Sequence, residues 1–236
     1  MTKQTTESTS KEIVPQENLG RGLEERALLT LHFGTKVRIW GDSNPDATEP
    51  NIDQDKCEAV KSKNRYRCAF CGLKTDTLEI HNLDNNHVNN SDENLIAVDP
   101  ICHEWHHLEQ PSDAVIAYLP GLSKADGNHL QRTIAVALNS GNSELANAAK
   151  KIINWLASHK AYVANAWGKA YKANEFGAAI ARTNSTDSEH EAILSNLHVV
   201  FNPVHFKKYS ATWKQEMPSL NPEQWSQTFH KVMNTL

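Results

Sequence analysis

Thiols and imidazoles crowd one stretch of this chain: three of its four cysteines and five of its twelve histidines fall between Cys68 and His107. Thiolate sulfur and imidazole nitrogen are the ligands that hold zinc in small folds. Cys68-x-x-Cys71, followed by Gly72 to let the chain turn, is half of a zinc knuckle and can aim two sulfurs at one tetrahedral ion. Cys102 lies downstream at an expected strand-to-helix junction and strengthens the reading of a structural Zn2+ site. Two residues compete for the fourth position. Asp99 stands where a second knuckle would place a ligand, and carboxylate oxygen binds zinc at about 2.0–2.2 Å. His106, one helical turn after Cys102, could reach the same ion by i, i+4 spacing. Cys57 reads as a buried thiol, and His87, in an asparagine-rich run, as a loop hydrogen-bonder.

The elements that would carry these ligands are short. Thr77–His81 reads as a strand, residues 82–93 as a loop and Leu95–Val98 as a second strand. Pro100 then stands where helices start, which predicts a helix over 101–108. The unit is strand, loop, strand, helix, with cysteines at both ends. Upstream, a helix is expected over 24–32, a strand over 35–40, and a helix over 52–63 with Asn51 as its N-cap. Downstream of Pro111 the expected elements are helical. Ser123-Lys-Ala-Asp126 is a capping box with Asp for Glu and opens a helix through Leu138. Leu145, Ala149, Ile152, Leu156, Val163 and Trp167 recur at helical spacing and predict one long amphipathic helix, with Trp155 off its stripe. Further helices are expected over 169–182, over 189–197 and from Pro222. The apolar stretch 199–206 suits a buried strand or a docking segment.

Composition sets outer limits. With 39% hydrophobic and 22% charged residues the chain is an ordinary globular one, and its formal charge of −4 lacks the basic excess of a nucleic-acid binder. Six acids between Asp42 and Glu58 precede Lys61, Lys63, Arg65 and Arg67, which reads as an acidic loop before a basic helix end. The polar N-terminus has no signal-peptide core and no run is long enough to span a bilayer, so a cytoplasmic location is expected. Clustered cysteines fit a reducing compartment.

The order C-x-x-C, L-E-x-His, E-N-L and C-H resembles that of HNH endonucleases, which carry a ββα-metal finger. The resemblance implies a catalytic-metal role for His81 and His103, an orienting role for Asn94, and a general base at position 82. That position holds Asn82. A carboxamide cannot take a proton from water near neutral pH, whereas imidazole can. Asp99, where the family has Cys, is a second departure. The site therefore reads as a finger retained for its fold, with no catalytic residues assigned.

A narrower resemblance spans about residues 30–170. L-E-I-H-N-L-D-N-N-H-V-N-N-S-D-E-N-L, P-I-C-H-E-W-H-H-L and Y-L-P-G-L-S-K-A-D-G-N-H-L-Q-R-T-I-A-V-A-L look like the IcmJ/DotN proteins of type IVB (Dot/Icm) secretion systems. This resemblance implies a non-enzymatic, zinc-stabilised adaptor of the coupling complex. Its partners would be the C-terminal extension of a DotL/IcmO-like coupling ATPase and other subunits, with membrane association only through the complex. The expected fold is α+β: a leader over 1–20, an HNH-like zinc-binding region over 21–110 and a helical region over 111–236 packing on it. A metal-dependent HNH endonuclease acting on DNA is the alternative.

Overall fold

Asp53 begins the first described helix: its side chain accepts a hydrogen bond from the Lys56 backbone N–H at 2.7 Å, and α1 runs Gln54–Lys63 with Lys61 and Lys63 in its last turn. The N-cap is thus Asp53 and not the expected Asn51. The structure is a computed structural model describing residues 28–34, 52–86, 88–108, 113–167, 170–180, 182 and 194–216. The expected leader, the strand over 35–40, His87 and the helix from Pro222 lie outside the described residues.

The fold is α+β. Two antiparallel two-stranded sheets are embedded among helices. The knuckle turns at Gly72 (φ +72°), where the Gly72 N–H donates to the Cys68 carbonyl and the Cys68 N–H to the Leu73 carbonyl. Strand β1 (Glu79–Asn82) then pairs with β2 (Leu95–Val98), in register Glu79↔Val98 to Asn82↔Leu95. Asp99 caps the helix that follows, α2 (Pro100–Glu104), accepting from the Ile101 N–H at 3.1 Å.

Helix α2 ends four residues short of the expected Leu108. Tertiary hydrogen bonds compete there: the Gly34 N–H takes the Trp105 carbonyl, and the Gly34 carbonyl takes the Leu108 N–H. Residues 28–34 serve as that extended partner and are not helical, against the expectation over 24–32.

The second half holds more strand than expected. Strand β3 (Val115–Tyr118) pairs with β4 (Leu197–Val200), both largely buried. Leu197, expected to end a helix, opens this strand. Between them lie α3 (Lys124–Leu138), α4 (Ser143–Ser158), α5 (Lys160–Ala166) and α6 (Ala173–Ile180). Ser123 caps α3 as the sequence suggests, accepting from the Asp126 N–H and donating to the Asp126 carboxylate. The long helix expected through Trp167 breaks at His159, whose carbonyl accepts from the Tyr118 N–H of β3 instead of continuing the helical ladder. A 3-10 helix (Pro203–Tyr209) leads into α7 (Ser210–Glu216).

The main core draws on both halves of the chain: Val60, Leu95, Ile101 and Trp105 pack with Ile116, Phe176 and Trp213. A smaller cluster, including Ile134, Ile152, Leu156 and Val200, joins α3 and α4 to the second sheet. Helix α3 buries an unusual polar set, Asn128, Gln131 and Arg132. Gln131 secures β4 edge-on, donating to the Val199 carbonyl and accepting from the Phe201 N–H. Among the described residues, no helix is long and apolar enough to cross a membrane.

Candidate metal centres

The knuckle turn, and the end of β2 with the start of α2, bring Cys68, Cys71 and Cys102 together. Their Sγ atoms all lie within 4.8 Å of one another and the residues are buried. Burial pushes the Cys68 thiol up, but hydrogen bonds from Cys102, Cys71 and the Asp99 backbone overcome it and bring its pKa down to about 3. Burial and the neighbouring sulfurs hold Cys102 well above the ordinary thiol value. Burial therefore opposes further thiolates at this cluster, which a bound cation would favour. Zinc at about 2.3 Å from each sulfur needs S···S separations of about 3.8 Å, which lies within the 4.8 Å that bounds this cluster.

Helix α3 closes the cluster from behind. Asn128 Nδ2 donates to Cys102 Sγ at 3.2 Å, and its Oδ1 accepts from Trp105 Nε1 at 3.0 Å. Arg132 lies 3.6 Å from Cys71 Sγ and makes a forked pair with Asp99, at 2.7 Å to Oδ1 and 3.3 Å to Oδ2. Burial raises the Asp99 carboxyl even though the Arg132 guanidinium against it pulls the other way.

Neither residue expected to compete for the fourth position joins the three sulfurs. Asp99 is committed to Arg132 and to the cap of α2. His106, in the turn that replaces the expected end of α2, stacks on Phe70 with centroids 4.9 Å apart and lies 4.4 Å from the His81 ring. Burial, with His103 and His107 nearby, brings its pKa down to about 3. Cys57 is half-buried and only loosely bonded, 3.8 Å from the Ile52 carbonyl.

A second group forms on the other face of the hairpin. His81 on β1, His103 on α2 and His107 in the turn after it have ligand nitrogens within 4.8 Å of one another. His103 Nε2 and His107 Nε2 are 3.1 Å apart, close to the ~3.3 Å that two nitrogens on one tetrahedral zinc would adopt. Glu79 lies 2.8 Å from His103 Nδ1, so the Nδ1–H donates to it and the Nε2 lone pair faces the other rings. Tyr209 OH donates to the same carboxylate. Burial alone would raise Glu79, yet His103 and Tyr209 hold it below its ordinary value. A carboxylate behind a histidine is the arrangement that fixes metal-ligand tautomers. Both groups could therefore hold a metal ion.

His81 and His103 converge as the sequence suggested. Asn82 does not face them: its carboxamide N–H groups go to the Asn89 carbonyl at 2.8 Å and to Asn90 Oδ1 at 3.3 Å. Asn94 holds the same loop, bonded to Asp84 and to the Asn89 carbonyl. Sequence reasoning assigned no role to His107, Glu79, Tyr209, Asn128 or Arg132. The i, i+4 spacing of His103 and His107 was a usable signal for the first. The other four depend on contacts across 24 or more residues. No family model matches the chain, and no curated protein matches it.

Proposed function

We propose that the protein is a non-catalytic, metal-stabilised adaptor built on a degenerate HNH-like ββα finger. The observation that carries this reading is Asn82. Its side chain spans the loop between β1 and β2 and offers no proton acceptor beside the histidine group. Zinc at Cys68, Cys71 and Cys102 would supply folding energy, because a two-stranded sheet and a short helix bury too little to stand alone. Arg132 and Asn128 carry that stabilisation into the helical half. With the resemblance to IcmJ/DotN proteins, this supports a subunit of a type IVB coupling complex that binds the C-terminal extension of a coupling ATPase and supports effector recruitment.

A second reading, metal-dependent DNA hydrolysis, is favoured by one feature: the histidine group is complete and backed by Glu79. An ion there would supply Lewis-acid stabilisation of a phosphate, and His81, His103 and His107 would hold it. One set of measurements separates the two. Affinity capture from the native host should return a coupling ATPase, and Cys71→Ser should abolish that capture together with the bound zinc. Metal-dependent nicking of plasmid DNA that disappears in His103→Ala would overturn the adaptor reading.

A further inference from the structure

One side of α4 forms a wall of a cleft of about 610 Å3. Helix α4 turns Leu145, Ala149, Ile152 and Leu156 inward, and beside them Lys150 and Asn154 are exposed while Ile153 and Ala157 are half-buried at the edge of the smaller core cluster. The opposite wall is the end of β4 and the 3-10 helix. There Val204 and Lys207 are three residues apart and share a face. Val115 and Val200, paired across the second sheet, lie at the base. Val204 is 69% exposed, a large aliphatic side chain with little cover.

Charge on the rim is one-sided. Lys150, Lys160 and Lys207 line the cleft against a single acid, Asp113, in a chain whose net charge is −4. Asp113 is already engaged, accepting from Asn202 Nδ2 at 2.8 Å with His205 4.0 Å away. Among the described residues, no carboxylate pairs with any of the three lysines; Lys160 lies over the Tyr171 ring at 5.3 Å. An apolar floor ringed by uncompensated ammonium groups complements a ligand that is apolar on one side and anionic on the other.

We propose that this cleft docks an acidic peptide segment of a partner protein. Aliphatic or aromatic anchors would enter between Ile153 and Val204, and Asp or Glu side chains would meet Lys150, Lys160 and Lys207. The proposal rests on the adaptor reading and names the surface that would serve it. It is built on the second sheet, α4 and the 3-10 helix, whose Tyr209 reaches Glu79 behind the histidine group, so metal binding by each variant is measured alongside.

The test is selection of short random displayed peptides on the metal-loaded full chain, followed by fluorescence-polarisation titration of the winners. The expected winners interleave Asp or Glu with Leu, Phe or Trp, and bind about tenfold or more weakly to Lys150→Glu/Lys207→Glu. Val204→Asp, at an exposed position that folding does not depend on, should weaken them similarly. Raising the salt concentration should weaken wild-type binding and leave the double variant little changed. Basic or uncharged winners, no winners, or acidic winners indifferent to both variants would overturn the proposal. Native capture separates the two levels. A partner retained by Lys150→Glu/Lys207→Glu refutes the cleft and leaves the adaptor reading standing, whereas a wild-type protein that captures none refutes the adaptor reading itself.

Discussion

Replacing Arg132 by leucine removes a cation that faces both Asp99 and the cysteine cluster. Both side chains of the pair are fully buried, and the fork distances are 2.7 and 3.3 Å. Leaving a carboxylate without its partner in such a place costs about 3–5 kcal/mol. The variant also loses the contact with Cys71 Sγ at 3.6 Å and the 2.8 Å contact with His129 Nδ1, so the upper part of that range is expected. Against a total stability of about 5–15 kcal/mol this is a large share. The assay is urea unfolding of zinc-loaded protein, followed by circular dichroism, for wild type, Arg132→Leu, Asp99→Asn and the double variant. Asn at position 99 keeps an oxygen for the Ile101 N–H and carries no charge, so the double variant should be more stable than Arg132→Leu alone. The coupling should reach about 1–3 kcal/mol. A loss below about 1 kcal/mol in Arg132→Leu, or single costs that add to within about 0.5 kcal/mol, would refute the reasoning.

Three further outcomes are expected. Glu79→Gln should weaken metal binding at the histidine group by about 10–100-fold while the cysteine-bound ion stays, as read by chelator competition; equal affinity would remove Glu79 as the group that sets the His103 tautomer. His198 is 1% exposed, and burial holds its pKa down at about 4 against about 6.5 unfolded, with its Nε2 near the Leu122 carbonyl and Lys124 nearby. The unfolded state therefore takes up the proton first. The stability this group contributes is fully present above about pH 6.5 and falls by about 3 kcal/mol as the pH drops towards 4. His198→Gln should flatten that part of the pH–stability curve, and an unchanged curve counts against it. Gly127→Ala should lower the melting temperature although alanine favours helix, because its Cβ would sit 2.8 Å from His198 Nδ1; a raised melting temperature would show that the ring yields freely.

What the sequence displays is local chemistry. The C-x-x-C turn, β2, the capped start of α3 and the inward stripe of α4 all follow from spacing within a few residues, and the structure contains each of them. Strand β3 was hidden because Val115–Tyr118 is too short for a periodic signal and is defined by its partner about eighty residues away in the chain. The break at His159 was hidden for a similar reason, since β3 claims its carbonyl. At the metal centres the ligands show in the residue types, but the groups that orient them do not. Asp99 illustrates the difference. Its chemistry admitted a ligand or a cap, and only the arrival of Arg132 from α3 commits its carboxylate elsewhere.

That arrival also has an order in time. During synthesis the three cysteines leave the ribosome before Arg132 and Asn128 do, so the knuckle can bind its ion while α3 is still absent. Until α3 docks, Asp99 must stay hydrated and the finger cannot close over it. Metal capture at the cysteines and closure by α3 would then be separate events. A chain without a metal at that moment would bring Arg132 of α3 to Asp99 beside a sulfur cluster with no ion in it. Where the cysteines hold a metal, its supply during translation would bear on how the two halves of the chain come together.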